Sequence, residues 1–198
     1  MMPILLGAIA VGGFILMSKS GGSESAPARN FVELQSDSGL PDINPDSQGG
    51  NWTTVYDWAF SKASEVTGVP FALLKAHAIR ESNLKVTAIR QEPAGNSRPP
   101  SASYGLMQIL WWPGSARFED WGYSDDTIGD GSILYQADVN CIIAGRIIDD
   151  NYSRLKNLRD AINAYNTGVR ESVRVAPGNY VDDVLKNYET LIGRKVLV

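Results

Sequence analysis

The stretch Phe71-Ala72-Leu73-Leu74-Lys75-Ala76-His77-Ala78-Ile79-Arg80-Glu81-Ser82 decides how this chain is read. Pro70 stands just before it, where a fixed φ and a missing N–H suit a helix start, so a helix is predicted from Phe71 to about Asn83. At 100° per residue, Leu74 and His77 fall within about 40° of Glu81, Ala78 at about 60°, and Phe71 and Leu73 at about 80°. Apolar residues occupy nearly every face, so the helix is buried and Glu81 projects from its apolar side. A carboxyl there loses hydration, which raises its pKa and helps it keep a proton toward neutral pH. Such a group suits general acid chemistry. The other reading is a buried glutamate that bridges helices through hydrogen bonds.

Working outward, the rest of residues 51–198 also reads as helical. Asn51 is an N-cap candidate for a helix carrying Trp52, Val55, Tyr56, Ala59, Ala63 and Val66 on one side and stopped by Gly68. A long central helix is expected from about Ser132 to Asp150, apolar on most faces and including Cys141, which reads as a small buried hydrophobe. Asp160 to Tyr165 makes a short helix closed by Gly168, and Tyr180 to Ile192 a last one closed by Gly193. Between Thr87 and Gly131 the chain is rich in Pro, Gly, Ser and Trp, as a functional loop region is. No strand pair stands out, although a small hairpin fits between Ala88 and Gln108.

The segments before Asn51 are different in kind. Met1 to Met17 carries no charged side chain, and a spanning helix needs roughly 17 to 25 apolar residues. A retained transmembrane anchor over residues 1–17 is therefore expected. The competing reading, a cleaved signal peptide, lacks a basic residue ahead of the apolar run, and its one cleavage-like site, Ala26-Pro27-Ala28, lies far downstream. Residues 18–50, with Gly21-Gly22, Pro27, Pro41, Pro45 and Gly49-Gly50 among Ser, Asp and Asn, read as a flexible polar linker.

Composition narrows the function classes. The 198 residues are 43% hydrophobic and 20% charged, which excludes a wholly disordered or collagen-like chain. A net charge of -4 argues against a nucleic-acid partner held by phosphate contacts. Most of that acidity sits in the linker, where Arg29 faces Glu24, Glu33, Asp37, Asp42 and Asp46. One cysteine rules out an internal disulfide, and one histidine rules out a His-rich metal site; no metal and no cofactor are expected.

Further motifs follow Glu81-Ser82 in order: Tyr104-Gly105-Leu106-Met107-Gln108-Ile109, Asp138-x-Asn140-x-x-x-Ala144-Gly145, Ala164-Tyr165-Asn166-Thr167-Gly168, and Tyr180-Val181-x-x-Val184-Leu185-x-x-Tyr188. Together they resemble the soluble lytic transglycosylases, members of the goose-type lysozyme superfamily that cut the glycan strands of peptidoglycan. The resemblance runs from about Phe71 to Tyr188 and covers nothing before Asn51. It implies a mainly α, lysozyme-like α+β domain with little or no sheet over residues 51–198, behind the anchor and linker. It also implies that Glu81 is the catalytic acid/base, cleaving the MurNAc-GlcNAc β-1,4 bond with the sugar's own C6 hydroxyl as acceptor, so that 1,6-anhydro-MurNAc ends form. No second carboxylate stands in a matching motif, as a two-carboxylate glycosidase would need; Glu92, Glu119, Asp120, Asp125 and Asp126 are candidates by composition only.

The same resemblance assigns substrate contacts to Ser82, Gly105, Met107, Gln108, Tyr165 and Asn166. Gly105 would allow close backbone approach to the sugar, Gln108 would offer its amide, and the Tyr165 hydroxyl would orient Glu81. Leu106 and Met107 also read as core plugs, and Asn166 as a helix cap. The chain departs from the family pattern in a longer stretch between Glu81 and Gly105, and in Ile109-Leu110-Trp111-Trp112-Pro113. Trp111, Trp112 and Trp121 suit stacking on pyranose rings, and equally a core or a membrane-facing position. His77 is given no role.

Three functions compete at this point: a membrane-anchored lytic transglycosylase, a hydrolytic lysozyme of the same fold, and an inactive glycan-binding module on a tether. The expected partners are peptidoglycan glycan strands and a lipid membrane. The chain also resembles the membrane-associated virion enzymes of lipid-containing bacteriophages, which implies a single-pass protein of a virion membrane; a bacterial envelope membrane is the other setting.

Overall fold

Gly68 and Pro70 separate the first two helices. In the computed structural model, which describes residues 54–92, 101–168, 176 and 178–196, helix α1 (Asp57–Thr67) stops at Gly68 in the left-handed region, φ 76°. Helix α2 (Phe71–Ser82) starts after Pro70, whose carbonyl accepts from the amides of Leu73 and Leu74 at 3.0 and 3.1 Å. It is buried from Phe71 through Ala78, as a helix apolar on nearly all faces must be. Asn83 and Leu84 both take positive φ, 52° and 61°, and this reversal turns the chain toward a sheet.

The sheet is small and antiparallel: β1 (Ile89–Glu92), β2 (Ser101–Tyr104) and β3 (Ile109–Trp111), in that spatial order. Ile89 pairs with Tyr104, and Tyr104 with Ile109, so residues 105–108 are the turn between β2 and β3. The domain is thus mainly helical with a three-stranded sheet, more sheet than its sequence signals. Strands of three or four residues are too short to show a clear alternation, and Ile89, Arg90 and Gln91 of β1 are all exposed, so no apolar face marks that strand.

A 3-10 turn (Glu119–Trp121), short helix α3 (Asp125–Ile128) and a second 3-10 turn (Ser132–Tyr135) lead into α4 (Ala137–Leu155), followed by α5 (Leu158–Thr167) and α6 (Tyr180–Ile192). The central helix is shifted relative to its expected span of Ser132 to Asp150. Gln136 is extended (ψ 121°) and divides the 3-10 turn from α4, while Asp138 in the first turn faces the positive end of the helix dipole. α1 also starts later than expected. Asn51 lies outside the described residues, residues 55–56 form a turn, and Val55 is 65% exposed rather than in the core. Thr53, Thr54 and Val55 are β-branched, which disfavours a helical start there.

α4 packs against α1 and α5, while α2 packs against α6. Phe60, Leu73, Leu74, Leu106, Met107, Ile143 and Val184 lie in the core, with Cys141 among them. Burial holds the Cys141 thiol protonated. The expected anchor (residues 1–17) and linker (18–50) lie outside the described residues. Among the described residues, no helix is long and apolar enough to cross a membrane.

Candidate active site

Glu81 sits in the last turn of α2, half-buried, where that helix leaves the core, and it lines a cleft of about 1440 Å³. Its Oε1 accepts a 2.5 Å hydrogen bond from the hydroxyl of Tyr180, the first residue of α6. Desolvation pushes the Glu81 pKa up; the Tyr180 hydrogen bond and then the charges of Arg90 and Arg80 oppose this without cancelling it. Arg80 is held by Asp183 at 3.0 Å, and Arg90 by Glu92 at 2.7 Å. The carboxyl is therefore half-dry, singly anchored and biased toward its protonated form, as a general acid requires.

The β2–β3 turn is held from below by Asn140 of α4, which is fully buried. Asn140 Oδ1 accepts from the Met107 amide at 2.7 Å, and Nδ2 donates to the carbonyls of Tyr104 and Leu134 at 2.9 and 2.8 Å. Gly105 has φ 75°, and a Cβ there would stand 2.5 Å from the Leu134 carbonyl oxygen. The glycine is needed by this packing on α4, where its backbone approaches Asn140 and Leu134 closely. Met107 is fully buried and, like Gly105, is not part of the cleft lining. Its backbone takes part instead: the Tyr165 hydroxyl donates to the Met107 carbonyl at 2.7 Å. Tyr165 lines the cleft but does not bond to Glu81; Tyr180 holds the orienting position expected of it.

Ser82 is spent on the protein. Its hydroxyl reaches the Leu106 carbonyl at 2.8 Å and accepts from the Lys85 amide at 3.1 Å, joining α2 to the β2–β3 turn outside the cleft. Gln108 lines the cleft with φ 49°; its Nε2 donates to the Gly105 carbonyl at 3.0 Å, which leaves Oε1 as an acceptor. Asn166 also lines the cleft, inside α5 rather than at its cap, which is Gly168. Its amide makes no hydrogen bond among the described residues, so both ends are available.

Trp112 and Trp121 line the cleft, and Trp121 is stacked on Phe118 with centroids 5.7 Å apart. Trp111 is 1% exposed and belongs to the core, edge-on to Tyr104. Of the carboxylates named by composition, Glu92 and Asp120 reach the cleft, whereas Glu119, Asp125 and Asp126 do not line it. Glu92 is engaged by Arg90 and by the Ser103 hydroxyl at 3.0 Å. Among the described residues no group of His, Cys, Asp and Glu is arranged to hold a metal ion.

A mainly helical domain with a small sheet, presenting the half-buried Glu81 in a cleft also lined by indoles and amides, has a lysozyme-like layout. The family model described as "Transglycosylase SLT domain" matches residues 59–180, and the chain belongs to that family, whose activity is lytic transglycosylation of peptidoglycan. Two curated relatives, "Protein IpgF" of Shigella flexneri and "Protein IpgF" of Shigella sonnei, are each 26% identical over 129 residues, 65% of this chain and 78% of the relative.

Proposed function

We propose that this chain cleaves the MurNAc-GlcNAc β-1,4 bond of peptidoglycan with Glu81 as its single acid/base and leaves 1,6-anhydro-MurNAc ends. The protonated Glu81 gives its proton to the glycosidic oxygen as the bond to C1 breaks. The substrate's N-acetyl group stabilises the oxocarbenium-like centre, and the C6 hydroxyl of the same sugar then bonds to C1, returning its proton to the Glu81 carboxylate. An intramolecular nucleophile removes the need to position a water, which lowers the entropic barrier. The observation that carries this reading is the Tyr180–Glu81 hydrogen bond on a carboxyl whose pKa burial has raised and which lines the cleft: one oxygen is fixed and the other is left for the chemistry. The amides of Gln108 and Asn166 and the indoles of Trp112 and Trp121 supply sugar contacts along the cleft.

Hydrolysis is the second reading, and the position of Glu92 and Asp120 in the same cleft favours it, because a water-activating base needs a carboxylate there. Digestion of purified cell walls, with the released fragments weighed by mass spectrometry, separates the two. Anhydro ends from the wild type and none from Glu81→Gln support the transglycosylase. Reducing ends carrying one added water mean a hydrolase, and no release by the wild type means a binding module. The reading extends to location: residues 1–17 anchor the domain and residues 18–50 give it reach to the wall, from a bacterial envelope membrane or a virion membrane. Deleting residues 1–17 then shifts the chain from the membrane pellet to the soluble fraction, and unchanged partition overturns the anchor.

A further inference from the structure

His77 lies one turn before Glu81 on α2, fully buried, and the cleavage chemistry above makes no use of it. Its Nδ1 stands 3.3 Å from the Tyr180 hydroxyl oxygen, and its ring packs on Tyr165 with centroids 4.9 Å apart. Its Nε2 is buried with no hydrogen-bond partner among the described residues.

The Tyr180 hydroxyl has one proton and two neighbours able to accept it, Oε1 of Glu81 and Nδ1 of His77. Suppose the imidazole carried its proton on Nε2. Nδ1 would then only accept, so Tyr180 could keep both contacts only by taking the Glu81 proton on its own oxygen, and a buried N–H would be left without a partner. With the proton on Nδ1, both contacts are made: the ring donates to Tyr180, and Tyr180 donates to Glu81. Only the lone pair of Nε2 is then bare, and orphaned buried N–H groups are rarer and costlier than orphaned acceptors.

We propose that His77 is held as its Nδ1–H tautomer and is a positioning residue: the hydrogen-bond chain from His77 through Tyr180 locks the Tyr180 proton on Oε1 of Glu81, so that Oε2 carries and receives the reacting proton. This rests on the acid/base reading of Glu81. Donation into the Tyr180 oxygen polarises its O–H and strengthens the bond to the carboxylate. The groups facing Glu81 are Tyr180 from α6, Tyr165 from α5, Arg90 from β1 and Arg80 from α2 itself. Among the described residues, the Tyr180 hydroxyl bonds to Glu81 and His77 alone. Burial keeps the imidazole neutral, with its pKa down to about 3, so the tautomer is not lost to protonation near neutral pH.

His77 is the one histidine of the chain, so the full chain labelled with 15N-histidine gives a single imidazole pattern. Two-bond proton–nitrogen correlations are expected to place the proton on Nδ1, with no imidazolium between about pH 5 and about pH 8. A proton on Nε2, or an imidazolium in that range, overturns the proposal whether or not the chain cleaves glycan. Tyr180→Phe removes the acceptor and is expected to give a mixture of tautomers; a pure Nδ1–H form there also overturns it. In kinetics, His77→Leu is expected to lower kcat about 10-fold and move the alkaline limb of kcat/KM up by about 0.5 pH unit, because a weaker Tyr180 donor stabilises the carboxylate less. His77→Asn, which keeps an N–H near Nδ1, restores the limb. A limb unmoved in His77→Leu, or moved alike in both variants, overturns the proposal. A wild type that releases no product overturns the acid/base reading instead, and the tautomer measurement distinguishes that failure from this one.

Discussion

Tyr180, the first residue of α6, donates to Oε1 of Glu81, the penultimate residue of α2, across 2.5 Å and 99 positions of sequence. The contact exists because α2 and α6 pack on one another, so the geometry of the acid is set by helix packing rather than by a loop. Two opposed effects act on the same carboxyl. Burial favours its neutral form, while the hydroxyl favours its anion, and burial is the larger. An acid that must give a proton and later take one back is served by a site that favours the proton and still supports the anion.

Glu81→Gln keeps the shape and an oxygen for Tyr180 to bond, and it removes the transferable proton. Clearing of purified cell walls is expected to fall by about 10²- to 10⁴-fold, the range of a lost general acid. Thermal unfolding should show a Tm no lower than that of the wild type. A variant that unfolds, or one that clears walls at the wild-type rate, contradicts the assigned role.

The pH dependence follows from the direction of two shifts. Glu81 has its pKa raised from 4.5, so the stability it contributes is full below pH 4.5 and is lost as pH rises through its folded value. The Tm advantage of Glu81→Gln over the wild type should therefore widen from about pH 4 toward about pH 7. His77 has its pKa lowered from 6.5 to about 3, so its contribution is present above 6.5 and lost as pH falls toward 3. Tm measured against pH in the wild type, Glu81→Gln and His77→Leu checks both signs.

How much of this was readable in the residues alone depends on how local each signal is. α2 and α6 were legible because Pro70 and Gly193 mark a limit of each, α2 is apolar on nearly every face, and the apolar residues of α6 repeat with the helical period. Glu81 was legible from its phase on α2. The β1–β2 hairpin falls in the window where one fits, between Ala88 and Gln108, but β3 as its third strand carries no such signal, and the strand limits are unmarked, since β1 has three exposed residues out of four and β2 consists of Ser, Ala, Ser and Tyr. The extended Gln136 that splits the central helix leaves no compositional mark. The motifs alone do not distinguish Tyr180 from Tyr165 as the partner of Glu81, because which tyrosine reaches it depends on where α5 and α6 dock. Asn140 and Arg90 carry no local signal of their roles for the same reason: their work is done on partners far along the chain.

The β2–β3 turn should prove sensitive to changes outside the cleft. Asn140→Leu leaves the Met107 amide and the Tyr104 and Leu134 carbonyls without their partner, and is expected to cost about 3 to 5 kcal/mol, less than three independent losses because the turn can relax. Gly105→Ala combines φ 75° with a Cβ 2.6 Å from Asn140 Nδ2, and should cost at least about 2 kcal/mol. Urea unfolding of each variant gives the values. A change below about 0.5 kcal/mol in either would mean that Asn140 does not hold the turn.

Glu92→Gln tests whether one carboxyl suffices. Glu92 lines the same cleft as Glu81, but its Oε1 already accepts from Arg90 at 2.7 Å and from Ser103 at 3.0 Å, which ties it to the sheet. A carboxylate so engaged is a poor base for activating water, whereas an intramolecular C6 hydroxyl needs no second base beyond Glu81. Glutamine retains an acceptor for Ser103 and removes the charge facing Arg90, so the structural effect is small. Under the single-acid reading, kcat/KM of Glu92→Gln stays within about 10-fold of the wild type and the anhydro product persists. A loss of about 10²-fold or more, with reducing ends as the wild-type product, would instead make Glu92 the water-activating partner of Glu81 in an ordinary two-carboxylate hydrolase.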